Sequence, residues 1–319
     1  MSLPVLDLAV VSPTDLVAAL REHGAALVRD ETLPASRCAR ALADAEHFFA
    51  LPAATKAALA IERSPHFRGY SVMHNERDWR EQIHFGREQT ASVLSPAPWR
   101  LQGPNQWPAD AGLRGRLLQW LHGVERTGVR VLAAIAAAFR VDSGPWLGDE
   151  PYLLMKLIGY HPQPLAVSSR PGVAAHLDFS LVTLTLQDDV GGLQVRRPDG
   201  VWCDVPCVRD AMLLNIGELL QYVTGNRLVA TPHRVQNPSS QRRRVSIPVF
   251  VNPSLATTLM PAASTLPIAA PTGPHVHAVL NPGAPPATLP FGSAEWRRKG
   301  ENVWCTTCCA AVVSRPPGN

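Results

Sequence analysis

The sequence is short of charge, of aromatic rings and of long apolar runs, and each shortage removes a class of function. Only 18% of the 319 residues are charged, the formal net charge is +4 and the isoelectric point is near 8.9. The basic residues are spread along the chain, and their longest arginine run is Arg242-Arg243-Arg244. Aromatic residues make up 6% of the chain, so the basic face interleaved with aromatics that a nucleic-acid surface requires is missing. The longest apolar helical stretch, Val131 to Phe139, falls far short of the about 20 residues that cross a bilayer. The opening MSLPVLDLAVVS has no basic start followed by an apolar run, which is the pattern of a secretory leader. A cytoplasmic protein with neither membrane nor nucleic-acid partner is expected. Cys38, Cys203 and Cys207 are isolated, and Cys305, Cys308 and Cys309 cluster near the end. Three thiols are one too few for a structural zinc, and disulfides are unexpected without export, so the cysteines read as incidental.

What is present is 46% hydrophobic residues, enough to bury one large core, and a single domain over residues 1–319 is expected. Residues 1–145 read as a helical and loop-rich N-terminal region. Leu3 to Leu8 suggests a short strand, Asp15 the N-cap of a helix stopped by Gly24, and Ala25 to Val28 a second strand. Pro34 to Leu51 carries Cys38, Leu42, Ala45 and Phe49 at helical spacing. Ser64 to Trp107 reads as loop, with Trp79 and Phe85 as core, and Leu113 to Arg140 is the longest amphipathic helix. From Tyr152 the period changes to two: Val182, Leu184 and Leu186 alternate with polar residues, as on a half-buried strand. Turn signals recur at Asp188 to Gly192, Pro198 to Gly200, Thr224 to Asn226 and Asn237 to Ser240, so residues 152–255 form a sandwich or barrel. The Pro-, Ala- and Thr-rich segment 256–319 reads as an irregular wrap.

Five polar residues carry the chemistry. His176 and Asp178 are two apart, so on a strand they face the same side, and His233 follows 55 positions after Asp178. Two imidazoles and one carboxylate on one iron leave positions open, an arrangement suited to oxygen-activating non-haem Fe(II). The pair alone is a weak signal among 11 histidines, and a surface His-Asp pair at a turn is the plainer explanation of it. In Arg242 to Phe250, period two puts Val245, Ile247 and Val249 on one face and Arg244 with Ser246 on the other. A guanidinium inside a barrel demands an anion, and a carboxylate suits its fork. An exposed edge strand would explain the arginines as well.

His176-x-Asp178, His233 within Thr-Pro-His-Arg-Val, and Arg244-x-Ser246 together resemble the iron- and 2-oxoglutarate-dependent oxygenases of the isopenicillin N synthase type. Leu3 to Asp7, Phe48 to Pro52 with Lys56, Arg68-Gly69-Tyr70, Gly103 to Pro108, Gln187 to Val195 and Asn215 to Glu218 are similar too. The resemblance spans roughly residues 1 to 255. It implies a mainly β fold with α: a double-stranded β-helix (jelly-roll, cupin-like) core with N-terminal helices packed on one sheet. It puts Fe(II) on His176, Asp178 and His233, and the distal carboxylate of 2-oxoglutarate on Arg244 and Ser246 with Tyr160. Oxygen is the other cosubstrate, and a small molecule is oxidised, most simply hydroxylated. The alanine-, arginine- and proline-rich composition suggests bacterial secondary metabolism.

The chain departs from the pattern at Ile158, where asparagine is common, at Lys156, where arginine is frequent, at His161, where a proline is usual, and at Leu177, where threonine is common. Lys156 is a candidate contact for a carboxylate of either reactant. Arg68, Tyr70, Ser71, Gln82, His84 and Phe179 are candidates for the substrate pocket, with loop packing as the plainer alternative. Two further functions stay open: an Fe(II)/O2 oxidase that does not use 2-oxoglutarate, and an inactive barrel that only binds a ligand.

Overall fold

The computed structural model describes residues 2–91, 101–162, 170–236 and 242–260. The expected turn at Asn237 to Ser240, residues 261–319 of the expected wrap and the cysteine cluster within it lie outside the described residues. Strand β1 (Val5–Asp7) runs parallel to β2 (Ala25–Arg29), joined through helix α1 (Pro13–His23). The N-cap of α1 is Ser12 rather than Asp15: the Ser12 hydroxyl accepts from the Asp15 amide at 3.1 Å and donates to the Asp15 carboxylate at 2.7 Å. Asp15 thus stands at the third helical position of a reciprocal cap. Gly24 ends the helix at φ 77°, a left-handed conformation cheap only for glycine.

Helices α2 (Ala35–Ala50) and α3 (Ala53–Ala57) lead into a hairpin of β3 (Gly69–His74) and β4 (Trp79–Phe85). This hairpin corrects the loop expected there. Its alternation is hidden because Arg80, Gln82 and His84 occupy one face of β4 and Ile83 and Phe85 the other, and all five are buried. Phe85 is core as expected, whereas Trp79 is only half-buried and stacks on His74. The long α4 (Ala111–Ala138) and short α5 (Gly144–Leu147) follow.

The remaining chain is β5 (Tyr152–Tyr160), β6 (Val173–His176), β7 (Val182–Gln187), β8 (Leu193–Arg196), β9 (Trp202–Asp204), β10 (Met212–Ile216), α6 (Glu218–Val223), β11 (His233–Val235) and β12 (Arg244–Asn252). An eight-stranded sheet has the order β1-β2-β10-β7-β12-β5-β4-β3, and a four-stranded sheet the order β6-β11-β8-β9. The two sheets form the double-stranded β-helix, with helices α2 and α4 on the outer face of the larger one.

That outer face carries Leu153, Met155 and Leu157 of β5, Val182, Leu184 and Leu186 of β7, and Val245, Ile247, Val249 and Val251 of β12, buried with Phe48, Phe49, Leu117 and Trp120 of the helices. Each such side chain contributes about 1.5–3 kcal/mol when fully buried, so period two in the strands and period 3.6 in the helices fix which faces meet. Gly159 makes one close approach there: a Cβ would stand 2.9 Å from the Phe49 ring. The other face of each strand turns to the smaller sheet, where Ile158, Tyr160, Val173, Leu193, Val195 and Val235 make a second core.

At the β3–β4 hairpin the buried Glu81 carboxylate accepts from Lys56 Nζ at 2.5 Å and Tyr70 Oη at 2.6 Å. His161 Nε2 lies at 3.1 Å and Arg243 at 3.8 Å. Burial alone would raise the pKa of Glu81, but hydrogen bonds from His161, Lys56 and Tyr70 and the Lys56 charge bring it down to about 2. Glu81→Gln is expected to cost roughly 3–5 kcal/mol at pH 7, because it strands a buried ammonium. A depressed carboxyl stabilises fully above its unfolded value, about 4.5, and loses that contribution as pH falls toward its folded value. Urea unfolding at pH 7 and pH 3 should therefore show the gap between wild type and variant narrowing in acid. Among the described residues no helix is long and apolar enough to cross a membrane, and Cys38, Cys203 and Cys207 are free thiols.

Candidate metal centre and active-site cavity

Three donors converge between the sheets. His233 opens β11 and pairs in register with His176 at the end of β6, their rings 4.2 Å apart. Asp178 lies just beyond β6, so it does not share a strand with His176 as the spacing suggested. It is held by the start of α6: the Glu218 amide donates to the Asp178 carbonyl at 2.9 Å and the Leu219 amide to Ser180 at 3.2 Å. Gly217 permits this approach, since a Cβ there would stand 1.9 Å from the Ser180 carbonyl oxygen. Asp178 Oδ1 faces His176 Nε2 at 3.6 Å and His233 Nε2 at 3.5 Å.

The donor chemistry fits a metal ion. His176 Nδ1 donates to the Ala174 carbonyl at 2.9 Å and His233 Nδ1 to the Thr231 carbonyl at 3.0 Å. A carbonyl only accepts, so each Nδ1 carries the hydrogen and each Nε2 keeps its lone pair for a ligand. Burial and the neighbouring His233 hold His176 well below the ordinary imidazole value, so it is neutral near pH 7. Burial pushes the Asp178 carboxyl up, but His233, His176 and hydrogen bonds from Thr183 and Asn215 bring it below its ordinary value. Asn215 Nδ2 donates to Asp178 Oδ2 at 2.9 Å, which leaves Oδ1 facing the imidazoles. One donor atom from each residue lies within 4.8 Å of the others, compatible with metal–ligand distances of about 2.0–2.2 Å. Beside them Glu218 is buried, and burial and Asp178 raise it to about 7.

The donors open into a cavity of about 80 Å³ between the two sheets. Arg244, Ser246, Tyr160, Lys156 and Phe179 all line it. Arg244 is fully buried, its guanidinium 4.7 Å from the Tyr160 ring centre. It donates to the Gly191 carbonyl at 2.6 Å, Ser246 Oγ at 3.2 Å and Gln187 Oε1 at 3.0 Å, all neutral acceptors.

Arg68, Tyr70, Ser71, Gln82 and His84 are not brought to this cavity. Arg68 is tied to the carbonyls of His66 and Leu101 and to the Tyr152 hydroxyl. Tyr70 bonds Glu81, and Ser71 accepts from Gln82 at 3.3 Å. His84 is buried opposite Lys156. Sequence reasoning missed Arg80, which lines the cavity from β4. The signal was the alternation Arg80, Gln82, His84, legible only to a reader who expects a polar inner face.

The chain is 32% identical over 274 residues to a 2-oxoglutarate-Fe(II) type oxidoreductase of Emericella nidulans, covering 77% of this chain and 78% of that protein. The chain belongs to the 2OG-Fe(II) oxygenase superfamily. The model of that superfamily matches residues 150–253 of this oxygenase, and the model of the non-haem dioxygenase in morphine synthesis N-terminal region matches residues 3–110. A homoarginine-6-hydroxylase of Glycine max is 30% identical over 230 residues, covering 67% of the oxygenase and 69% of the hydroxylase. Among solved structures, a full-length Neurospora crassa protein in complex with alpha-KG and thymine has the same fold, with a TM-score of 0.76 at 19% identity over 94% of this chain and 97% of that one.

Proposed function

We propose that this oxygenase holds Fe(II) with His176, Asp178 and His233, and binds the distal carboxylate of 2-oxoglutarate with Arg244, Ser246 and Tyr160. On this reading it hydroxylates a small molecule in the cytoplasm, as one domain, with no membrane or nucleic-acid partner. The observation that carries the assignment is a pairing within one cavity: three metal donors beside a fully buried arginine whose hydrogen bonds go to neutral acceptors. A buried guanidinium is costly until an anion meets it.

Iron(II), when bound with 2-oxoglutarate and O2, supplies the oxidant, and succinate and carbon dioxide are the coproducts. The protein binds, orients and excludes water. Thr183 and Asn215 keep Asp178 ionised and aimed at the histidines. Ser246, Gln187 and the Gly191 carbonyl fix the guanidinium plane of Arg244, so a carboxylate meets a preset fork. Val173, Leu193, Val235 and Phe179 give the cavity apolar walls.

Anaerobic titration of the apoprotein with Fe(II) and then 2-oxoglutarate tests this. The expected result is the weak visible band of a keto acid chelated to iron, followed on admission of air by succinate in step with 2-oxoglutarate consumed. Tight iron binding without that band would sink the 2-oxoglutarate assignment.

A further inference from the structure

The charged side chains lining the cavity are unequal in sign. Among the described residues they are Arg80, Lys156 and Arg244 against Asp178 alone. The cofactors do not redress this, because iron(II) and doubly ionised 2-oxoglutarate cancel. Arg244 already has its assigned anion, so Arg80 and Lys156 remain.

Both cations lie on the cavity side of the β4–β5 pair. Arg80 and Lys156 are buried, and Lys156 lies directly opposite His84 in the β4–β5 register. The fully buried Asp78 pairs with Arg80 at 3.2 Å, and Arg80 and Lys156 both bear electrostatically on Asp78 and on His84. Burial, with Lys156, Arg68 and Arg80, holds His84 well below its ordinary value and hence neutral. Both ring nitrogens of His84 and Oε1 of Gln82 are buried without hydrogen-bond partners among the described residues. Neither Lys156 nor Arg80 lacks contacts, so the sign of the wall, and not a vacancy, selects its ligand. One carboxylate, Asp78, stands against two cations.

Lys156, unlike Arg80, is set apart from the 2-oxoglutarate anchor: Glu81 pairs with Gly159, so Arg80 stands level with Tyr160. Arg244 pairs with Tyr160, and Lys156 is four residues back along the same face of β5, roughly 13 Å at the rise of an extended strand. The Phe250 ring, 5.1 Å from Lys156 Nζ, backs the ammonium and lines the same cavity.

We propose that the substrate is an organic anion, and that Lys156 binds its carboxylate at the β4–β5 wall, apart from the Arg244–Ser246 anchor, while Arg80 stays in its ion pair with Asp78. This rests on the iron and 2-oxoglutarate reading above. It makes the Lys156 ammonium, and not the shape of the cavity alone, the element that selects the substrate and sets which end of it is held away from the metal donors.

The test uses holoenzyme assembled anaerobically with Fe(II) and 2-oxoglutarate. Its visible chelate band is titrated with benzoate, 3-phenylpropionate and 4-phenylbutyrate, each beside its uncharged amide. At least one acid should shift the band without bleaching it, and bind ~10-fold or more tightly than its amide. Lys156→Met should abolish that preference and Lys156→Arg restore it, while the 2-oxoglutarate dependence of the band changes by no more than about two-fold, because contacts at separate sites are nearly additive. An intact band in each variant shows that the fold is retained. The inference is overturned if no acid is preferred over its amide, if the acids only bleach the band and are displaced by more 2-oxoglutarate, or if the preference survives in Lys156→Met. If wild type gives no chelate band, it is the iron and 2-oxoglutarate reading that fails. Calorimetry of the same acids and amides on the apoprotein then decides whether the anion wall exists.

Discussion

Asp178→Ala is expected to lower turnover by on the order of 10³-fold or more, since a bound metal supplies several kcal/mol of catalysis and each 1.36 kcal/mol is tenfold in rate. The substitution removes the carboxylate of the donor set and leaves only the two imidazoles. It should not unfold the protein, because the link to α6 runs through the backbone carbonyl of residue 178, which accepts from the Glu218 amide whatever the side chain. Iron content after desalting and 2-oxoglutarate consumption are the readouts. A variant that retains stoichiometric iron and turns over within about tenfold of wild type would remove Asp178 from the ligand set.

The second large effect is expected at Arg244. Truncating one member of a buried, hydrogen-bonded charge pair costs about 2–5 kcal/mol, so Arg244→Met should raise the concentration of 2-oxoglutarate needed for half-maximal turnover by roughly 30- to 5,000-fold. The apoprotein should keep most of its stability. Hydrogen bonds to Gly191, Ser246 and Gln187 are lost, but so is the cost of burying a guanidinium, which the nearby Asp188 charge offsets only in part. The melting temperature should consequently stop rising with added 2-oxoglutarate, since ligand stabilisation follows affinity. Arg244→Lys should recover charge but not the planar fork, and so restore affinity only in part. Unchanged dependence on 2-oxoglutarate in the Met variant would show that the cosubstrate is held elsewhere.

Much of this was legible in the sequence wherever burial has a period. Val245, Ile247 and Val249 against Arg244 and Ser246 told the faces of β12 apart, and the helices over Pro34 to Leu51 and Leu113 to Arg140 were found from one apolar stripe each. The β3–β4 hairpin was not legible, because its inner face is polar and a strand lined by Arg80, Gln82 and His84 reads like a loop. The cap of α1 was misplaced by three residues for a similar reason: Ser12 and Asp15 bond each other, so either could have been the cap. The convergence of His176, Asp178 and His233 came from residue type and spacing. The role of α6 in holding Asp178 did not, because main-chain hydrogen bonds leave little trace in side-chain identity.

The two imidazoles are each tied at Nδ1 to a carbonyl two residues back along the chain, Ala174 for His176 and Thr231 for His233. Their rotations are therefore restricted by folding, before any ion arrives. Freezing a buried side chain costs up to about 2 kcal/mol of conformational entropy, and here most of that loss belongs to the folding equilibrium. Loading then resembles the filling of a rigid receptor more than the nucleation of structure, so metal affinity and fold stability are set by different parts of the sequence and can drift independently under selection.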